Sequence, residues 1–362
     1  MEKCLITCFT HYQIIMAIQI RNSVLLSKRV TIAVADTSKG INNVVKRMQE
    51  LEVFDDVIFL KIKYIEENFL SVKQIWNIAV GKADFAKRYL GEHPYFDEFW
   101  FFNNNITNNG FFCALYNSNS KLKCYGYEEG ITTYEAFHEQ FRIKKMFKRN
   151  KLIFAFRKIL MKKNLIEATE AFFCLYPELY KGNLKVQSIR LFSNKSDSKL
   201  LADIYGVDTK QLKYEEKYIY FAGTYDFEGG KSLDEIGLIK KIAEMVGKEN
   251  LLIKLHPRDF RDFSKMKKAG FHFEKNDGVP WEIIQLNYDF FEHVFLTILS
   301  NSILIANSMT EGVVKSFYLY KIIDGIMENR SAVVGIEALN YVKNILKNKG
   351  IHIVDSLFEI ID

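Results

Sequence analysis

The sequence lacks the residues and spacings that several common classes of protein need. It has only 4 prolines and 5 cysteines in 362 residues, and no cysteine pair or cysteine–histidine cluster has the spacing of a metal site. The cysteines lie mostly in apolar runs, which predicts buried, reduced thiols in a cytoplasmic protein. A disulfide-stabilised domain and a structural zinc domain are therefore excluded. The cysteines are Cys4, Cys8, Cys113, Cys124 and Cys174.

Long apolar runs and the common phosphate-binding motifs are absent as well. The apolar opening CLITCFTHYQIIMAIQI is interrupted by Thr7, Thr10, His11 and Gln13, and no small-residue cleavage site follows it. We therefore expect neither a signal peptide nor a membrane-spanning helix. The sequence contains no GxGxxG, GxxxxGK(S/T) or DxD motif, so a dinucleotide fold, a P-loop and a metal-dependent nucleotide-sugar site have no support. No cofactor and no obligatory metal are expected.

The positive charge is concentrated in one segment. The net charge is +6, but ten lysines and arginines and no acidic residue lie between Arg142 and Lys163, so the remainder of the chain carries −4. Apolar residues alternate with these charges, which leaves two interpretations of 142–163. It is a solvated helix with its apolar stripe on the core, or an interfacial helix on an anionic membrane surface. A third interpretation, nucleic-acid binding, has no support because the sequence contains no motif of that kind.

Short apolar strands alternate with helical patterns along the whole chain. This pattern predicts an α/β protein with parallel sheets covered on both faces. A polar, irregular stretch at 181–216 separates two such halves, so we predict domains at 1–180 and 217–362 joined by a linker. Ligands of such sheets bind beyond the carboxyl ends of the strands, here in a cleft between two facing sheets. The predicted strands are 3–9, 29–36, 56–62, 98–103, 121–127, 171–177, 218–223, 250–257, 271–275 and 294–300.

Polar and charged side chains directly follow several of these strands, where an α/β protein builds its site. Lys254 and His256 are two residues apart and point to the same side of an extended strand. Together they are suited to gripping a phosphate, and the histidine to protonating it as it departs. The alternative is a histidine bonded to a nearby carbonyl. The groups concerned are Thr10-His11, Glu128-Glu129, Gly223-Thr224, Lys254-His256-Pro257 and Ser300-Asn301-Ser302.

The acidic pair and the serine pair each allow two interpretations. Glu128 and Glu129 are solvated turn carboxylates, or one of them is a general base whose pKa is raised by its neighbour and by partial burial. Ser300, Asn301 and Ser302 form an ordinary helix N-cap, or they bind an anion through hydroxyl and backbone N–H groups.

Taken together, these residues resemble the bacterial sialyltransferases of glycosyltransferase family 52, which include the lipooligosaccharide sialyltransferases. The resemblance is carried by Glu128-Glu129-Gly130, His256-Pro257 and Ser300-Asn301-Ser302, in that order along residues 4–305. The opening CFTHYQIIMAI and the segment VPWEII at 279–284 add to it. The resemblance implies a GT-B fold: two Rossmann-like domains whose parallel sheets face a central cleft, the second binding a nucleotide sugar.

The resemblance also implies an activity. It implies inverting, metal-independent transfer of sialic acid from CMP-sialic acid to a galactose hydroxyl of a surface glycan, as in lipooligosaccharide or capsule biosynthesis. His256 would hold or protonate the phosphate, and Glu282 would contact the cytidine. The base would be Glu128 or Asp226. The remaining implied donor residues are Gly223, Thr224, Lys254, Pro257, Ser300, Asn301 and Ser302, and the implied acceptor residues are Thr10, His11, Gln13 and Glu129.

Two other functions compete with this one. The first is a GT-B glycosyltransferase with another nucleotide sugar, such as a glucosyltransferase, which the same family includes. The second is a non-catalytic binding protein on the membrane surface. The expected location is the cytoplasm, at the inner face of the membrane if 142–163 binds lipid. The expected partners are a nucleotide sugar, a glycan acceptor and, since similar proteins dimerise, a second copy of the chain, but no nucleic acid.

Overall fold

The structure is a computed structural model with side chains, and it describes most of the chain. The predicted site residues Thr224, Asp226 and Pro257 lie outside the described residues, as do residues 142–147 of the basic segment. The described residues are 1–67, 71–130, 133–134, 148–180, 182–189, 195–223, 225, 232–256, 259, 261–276, 278–309 and 314–361.

The chain divides into two compact units, Met1–Leu191 and Phe192–Asp362. The strands of the first unit are β1 Lys3–Cys8, β2 Arg29–Ala35, β3 Asp56–Leu60, β4 Glu98–Phe101, β5 Lys123–Tyr127, β6 Thr169–Cys174 and β7 Lys185–Ser188. Its described helices are α1 His11–Ser23, α2 Ile41–Glu50, α3 Ile62–Glu67, α4 Val72–Ala79, α5 Asp84–Leu90, α6 Ile106–Ser118, α7 Lys148–Ile159 and α8 Leu165–Ala168.

The first sheet is parallel and has the order β3-β2-β1-β4-β5-β6-β7. Its central strand β1 is buried along its length except at Lys3, because helices cover both faces of a parallel sheet. In the register, Cys4 lies opposite Val30 and Ile6 opposite Ile32. The five cysteines are buried and free, as predicted, and burial raises their thiol pKa values.

The second unit repeats the same architecture. Its strands are β8 Tyr218–Phe221, β9 Leu251–Lys254, β10 His272–Phe273, β11 Val294–Thr297, β12 Lys315–Tyr318 and β13 Ile351–Ile353. Its described helices are α9 Lys195–Tyr205, α10 Glu235–Val246, α11 Ser264–Lys268, α12 Trp281–Asn287, α13 Ser302–Met309 and α14 Arg330–Leu346. The sheet is parallel, with the order β10-β9-β8-β11-β12-β13.

The strand order reverses once in each sheet, between β1 and β4 and between β8 and β11. At such a point the connections leave toward opposite faces, which opens a crevice beyond the carboxyl ends of the two strands. Each unit therefore has one place where its topology favours ligand binding.

The region 181–216 is not the simple linker that we predicted. The unit boundary falls inside it, but residues 185–188 form β7 at the edge of the first sheet, and α9 packs against α12 in the second unit. Leu201, Ala202 and Ile204 of α9 are buried. Their helical spacing is masked in the sequence by the polar residues around them.

Candidate active site

Polar side chains from three neighbouring strands meet at the carboxyl edge of the first sheet. Gln13 follows β1, Asn103 follows β4, and Glu129 follows β5. Because these strands are adjacent in the sheet, the three side chains come into contact. The Gln13 amide nitrogen donates a hydrogen bond of 3.0 Å to the Glu129 carboxylate, and the Asn103 amide nitrogen donates one of 3.4 Å.

Glu129 has the properties of an acid–base group. Burial raises the pKa of Glu129 to about 7, while the hydrogen bonds from Asn103 and Gln13 oppose the rise. The residue as a whole is part-buried, whereas Glu128 before it is buried. A carboxyl group that titrates near neutral pH can both take and return a proton.

Glu128 is held differently, although it is the next residue in the chain. Its carboxylate is 1% exposed and accepts hydrogen bonds from the Tyr12 hydroxyl at 3.0 Å, the Leu175 N–H at 2.8 Å and the Tyr134 hydroxyl. Burial raises its pKa, and the three donors lower it. Because three protein donors occupy this carboxylate, the geometry favours a positioning role for Glu128.

The first turn of α1 fixes Gln13 in place. Thr10 is the N-cap residue of a capping box: its hydroxyl accepts from the Gln13 N–H, and the Gln13 side-chain oxygen Oε1 accepts from the Thr10 N–H. The predicted acceptor residue His11 is buried, and its Nε2 lies 2.9 Å from the Lys39 carbonyl. Gly130 has a φ of 126°, a conformation that residues with a side chain rarely adopt, which explains the glycine after the acidic pair.

In the second unit, Lys254 and Glu282 lie close together inside the protein. Lys254 ends β9 and is 7% exposed, and its ammonium group donates a hydrogen bond of 3.2 Å to the Val279 carbonyl. Val279 lies just before α12, the helix that carries Glu282. Burial raises the pKa of Glu282 to about 7, while its own backbone N–H and the charge of Lys254 oppose the rise. Lys254 thus holds the segment that presents Glu282.

A charged network that the sequence did not reveal supports the loop after β8. Glu235 opens α10 and is 1% exposed; it accepts hydrogen bonds from the Gly223 N–H at 2.9 Å and from the Tyr220 hydroxyl at 3.0 Å. Arg261 donates to Glu235 at 2.6 Å and to the Gly223 carbonyl at 3.1 Å. The only sequence signal was Arg261 itself, five residues after His256.

Gly223 is needed because an aromatic ring lies where a side chain would be. A Cβ added at Gly223 would come within 2.3 Å of the Tyr225 ring. The Tyr225 hydroxyl accepts a hydrogen bond from the Leu299 N–H at 3.0 Å. Tyr225 therefore connects the loop after β8 to the segment after β11. These are the two strands between which the strand order reverses.

The remaining predicted donor residues lie at the same edge of the second sheet. Ser300, Asn301 and Ser302 are part-buried, and α13 begins at Ser302. The Ser300 hydroxyl accepts from the Ser302 N–H at 3.3 Å, a local turn contact just before the helix. His256 is part-buried and follows β9, beside β8 in the sheet.

The structure therefore brings the predicted residues together in two groups, one in each unit. The first contains Thr10, Gln13, Glu128 and Glu129, and the second contains Lys254, Glu282 and the Gly223 loop. Asn103 and Glu235 are additions that the sequence did not indicate. Within the described ranges, no group of three or more His, Cys, Asp or Glu side chains could hold a metal ion. None of the described helices is long and apolar enough to cross a membrane.

Comparison with known proteins identifies the family. The sequence model of the family described as alpha-2,8-polysialyltransferase (POLYST) matches residues 4–320. No curated protein matches the chain in sequence. Among solved structures, the α/β-galactoside α-2,3-sialyltransferase of the luminous marine bacterium Photobacterium phosphoreum has a TM-score of 0.51 and 11% identity, over 97% of this chain and 98% of that chain. Arabidopsis thaliana UGT89C1 complexed with UDP has a TM-score of 0.50 and 11% identity, over 98% and 87%.

The two structural similarities confirm the predicted GT-B-like fold of two parallel α/β sheets; at such low identity they show the fold alone. The family match covers most of the chain. It confirms the prediction of an enzyme and of a sialyltransferase family, while the narrower prediction of the lipooligosaccharide group stays a prediction. The chain belongs to the alpha-2,8-polysialyltransferase family and is a glycosyltransferase.

Proposed function

We propose that this protein transfers sialic acid from CMP-sialic acid to a hydroxyl group of a surface glycan, with inversion and without an obligatory metal. The observation that carries the proposal is Glu129, a carboxyl with a pKa of about 7 clamped at the carboxyl edge of the first sheet. The family match supports sialic acid as the sugar.

In the proposed reaction, the Glu129 carboxylate takes the proton of the acceptor hydroxyl. The hydroxyl oxygen bonds to the anomeric carbon of sialic acid as the bond from that carbon to the CMP phosphate breaks. The electron pair of the broken bond goes to the phosphate, which becomes the leaving group. A single displacement of this kind inverts the anomeric centre. General-base assistance contributes about 10²–10⁴-fold in rate.

The sequence resemblance offers Glu128 or Asp226 as the base, and the proposal differs from both. Three protein donors surround Glu128, whereas Glu129 is held only by two side-chain amides among the described residues. We therefore assign the base to Glu129 and the positioning of the strand end to Glu128. Asp226 stays the alternative base.

The second unit supplies the groups for the leaving phosphate. We assign His256 to the phosphate, with Ser300 and Ser302 as further donors and Lys254 as the residue that orders the segment before α12. Glu282 suits the cytosine: with a pKa of about 7, its protonated carboxyl can donate to the ring nitrogen N3 and accept from the exocyclic amino group. Uracil presents the opposite donor and acceptor at these positions.

The acceptor has two candidates, and each has its own support. The sequence resemblance implies a galactose hydroxyl, while the description of the matching family implies a chain end that already carries sialic acid. A lipooligosaccharide or a capsule is the proposed surface glycan.

We also propose that the basic segment holds the enzyme against an anionic membrane at its cytoplasmic face. One face of α7 is anchored in the protein, since Arg157 is fully buried and donates to the Ala79 carbonyl at 3.0 Å. Beyond that anchor, Ile159 is 70% exposed and Met161 is 95% exposed among Lys158, Lys162 and Lys163. Exposed apolar groups inside a basic cluster are typical of an interfacial surface. A homodimer stays a prediction.

The test is transfer and donor hydrolysis with CMP-sialic acid. The wild type should release CMP and lengthen a galactose-terminated or sialic-acid-terminated oligosaccharide. His256→Ala should lose both activities while keeping its thermal unfolding temperature. Turnover of a UDP-sugar or GDP-sugar instead would favour another glycosyltransferase, and no turnover with any donor would favour a non-catalytic binding protein.

A further inference from the structure

A cavity of about 420 Å³ lies in the first unit, next to the side chains that hold Glu129. The Phe9 N–H on its wall donates to the Gln13 side-chain oxygen Oε1 at 2.5 Å, and the Gln13 side-chain nitrogen in turn donates to Glu129. On another wall, the Asn105 N–H donates to the Asn103 side-chain oxygen Oδ1 at 3.1 Å, and the Asn103 side-chain nitrogen also donates to Glu129. Two walls of the cavity are therefore each one amide side chain away from the Glu129 carboxylate.

The cavity is large enough for a sugar residue, because small-molecule sites usually measure about 300–1,000 Å³. Phe9 and Ile106 give it apolar surface, against which the face of a sugar ring can pack. The Phe9 ring is fixed by the Phe102 ring, with centroids 5.0 Å apart. We call this space the acceptor cavity.

Arg149 is the basic residue among the described residues that line the acceptor cavity. Arg149 stands at the second position of α7, and the next residue anchors that helix: buried Asn150 donates a hydrogen bond from its amide to the Asn104 carbonyl. The bond ties the start of α7 to the segment that leads into α6. Arg149, the residue before this anchor, and Asn105, the residue after its acceptor, both line the cavity.

The start of α6 adds positive potential to the same wall. This 13-residue helix has Asn105 as its N-cap and no acidic residue in its first turn. The Asn105 side chain accepts from the Asn108 N–H at 2.8 Å, and the preceding residues Ile106 and Thr107 line the cavity. The first N–H groups of a helix have no acceptor inside it and carry partial positive charge. Glu66 of α3 also lines the cavity and is the acidic residue among the described lining residues.

A planar guanidinium binds a carboxylate through two parallel hydrogen bonds, and a neutral sugar offers it no such partner. We propose that Arg149, assisted by the first turn of α6, binds the carboxylate of an acidic acceptor sugar and sets the preference of the enzyme for acidic over neutral acceptors. This inference rests on the proposed function, since it assigns a specificity-determining residue to the acceptor side of the same site.

The experiment compares Arg149→Ala with Lys148→Ala, which removes a neighbouring exposed cation outside the cavity lining. Each variant is assayed with CMP-sialic acid and two acceptors: an oligosaccharide ending in sialic acid and the same oligosaccharide ending in galactose. Arg149→Ala should raise KM for the acidic acceptor at least tenfold and leave KM for the neutral one within twofold. Arg149→Lys should fall between wild type and Arg149→Ala, and Lys148→Ala should change neither KM.

Equal effects of Arg149→Ala on both acceptors, or the same acidic-acceptor defect in Lys148→Ala, would overturn the inference. CMP release in the absence of acceptor separates this failure from that of the proposed function, because donor hydrolysis requires no acceptor sugar and Arg149 is assigned to the acceptor alone. If CMP release persists and only the selectivity is unchanged, the assignment of Arg149 is wrong and the proposed function stands. Saturation-transfer NMR with the acidic oligosaccharide gives a second readout, in which Arg149→Ala should weaken the signal.

Discussion

The pH dependence of transfer should be set by the carboxyl group of Glu129. Burial raises its pKa to about 7 from the ordinary value of 4.5. At pH 6, only about one tenth of a group with this pKa is ionised, so kcat/KM should be about tenfold below its plateau above pH 8. A base with an ordinary carboxyl pKa would already have reached its plateau at pH 6.

Replacing the carboxylate by an amide tests the assignment. Glu129→Gln removes the base and should lower kcat by about 10²–10⁴-fold, leaving a residual rate without the inflection near pH 7. Glu128→Gln is the matched control, because it makes the same change one residue earlier. It should keep the inflection near pH 7 and lose stability, since the amide NH2 replaces one of the two acceptor oxygens and then faces a donor, either the Tyr12 hydroxyl or the Tyr134 hydroxyl and the Leu175 N–H.

The assay measures initial transfer rates from saturating CMP-sialic acid to a labelled oligosaccharide between pH 5 and 9. Circular dichroism of each variant confirms that it is folded. Retention of the rate and the inflection in Glu129→Gln would refute the reasoning. If a folded Glu128→Gln variant instead lost the transfer rate and the inflection near pH 7, the base would be Glu128, as the sequence resemblance implies.

Three further predictions concern the second unit and the basic segment. Because the pKa of buried Glu282 is raised from 4.5 to about 7, the wild type should lose stability as pH rises through 7. The free energy of unfolding of Glu282→Gln minus that of wild type, measured with urea, should therefore increase by about 2–3 kcal/mol from pH 5 to pH 9. A difference that does not change with pH would contradict this. Arg261→Ala should cost about 3 kcal/mol, as a shift of the urea midpoint, because it leaves the buried Glu235 carboxylate without its cation, and an unchanged midpoint would be inconsistent with that pairing. Ile159→Asp with Met161→Asp should reduce cosedimentation with vesicles containing phosphatidylserine, and equal binding would remove the membrane proposal.

The main features of the fold follow from the sequence because parallel strands are buried on both faces. Runs such as LITC and TIAVA are apolar apart from one threonine each, and their alternation with helical patterns predicts the α/β class. The strand ends then place the candidate residues at the carboxyl edge of each sheet. The predicted strand at 271–275 is reduced to His272–Phe273, an edge strand that pairs only with Leu252 and Ile253 of β9.

Other features depend on contacts that are distant in sequence. The segment at the start of α6 reads NNNITNNG, and its asparagines disfavour a helix. The helix forms because Asn105 caps it and because burial of Phe111 and Phe112 stabilises it. Likewise, the sequence places Glu128 and Glu129 side by side and cannot distinguish them. Only the packing shows that Tyr12 and Tyr134 donate to the first, while Gln13 and Asn103 donate to the second.

The most direct test of the proposed sialyl transfer is calorimetric titration of the full chain with CMP, UMP and GMP, without added metal. The account predicts that CMP binds at least tenfold more tightly than UMP or GMP, and that His256→Ala weakens CMP binding while the protein stays folded. Equal affinity for the three nucleotides, or CMP binding that His256→Ala leaves unchanged, would contradict the assignment of a cytidine phosphate to the second unit.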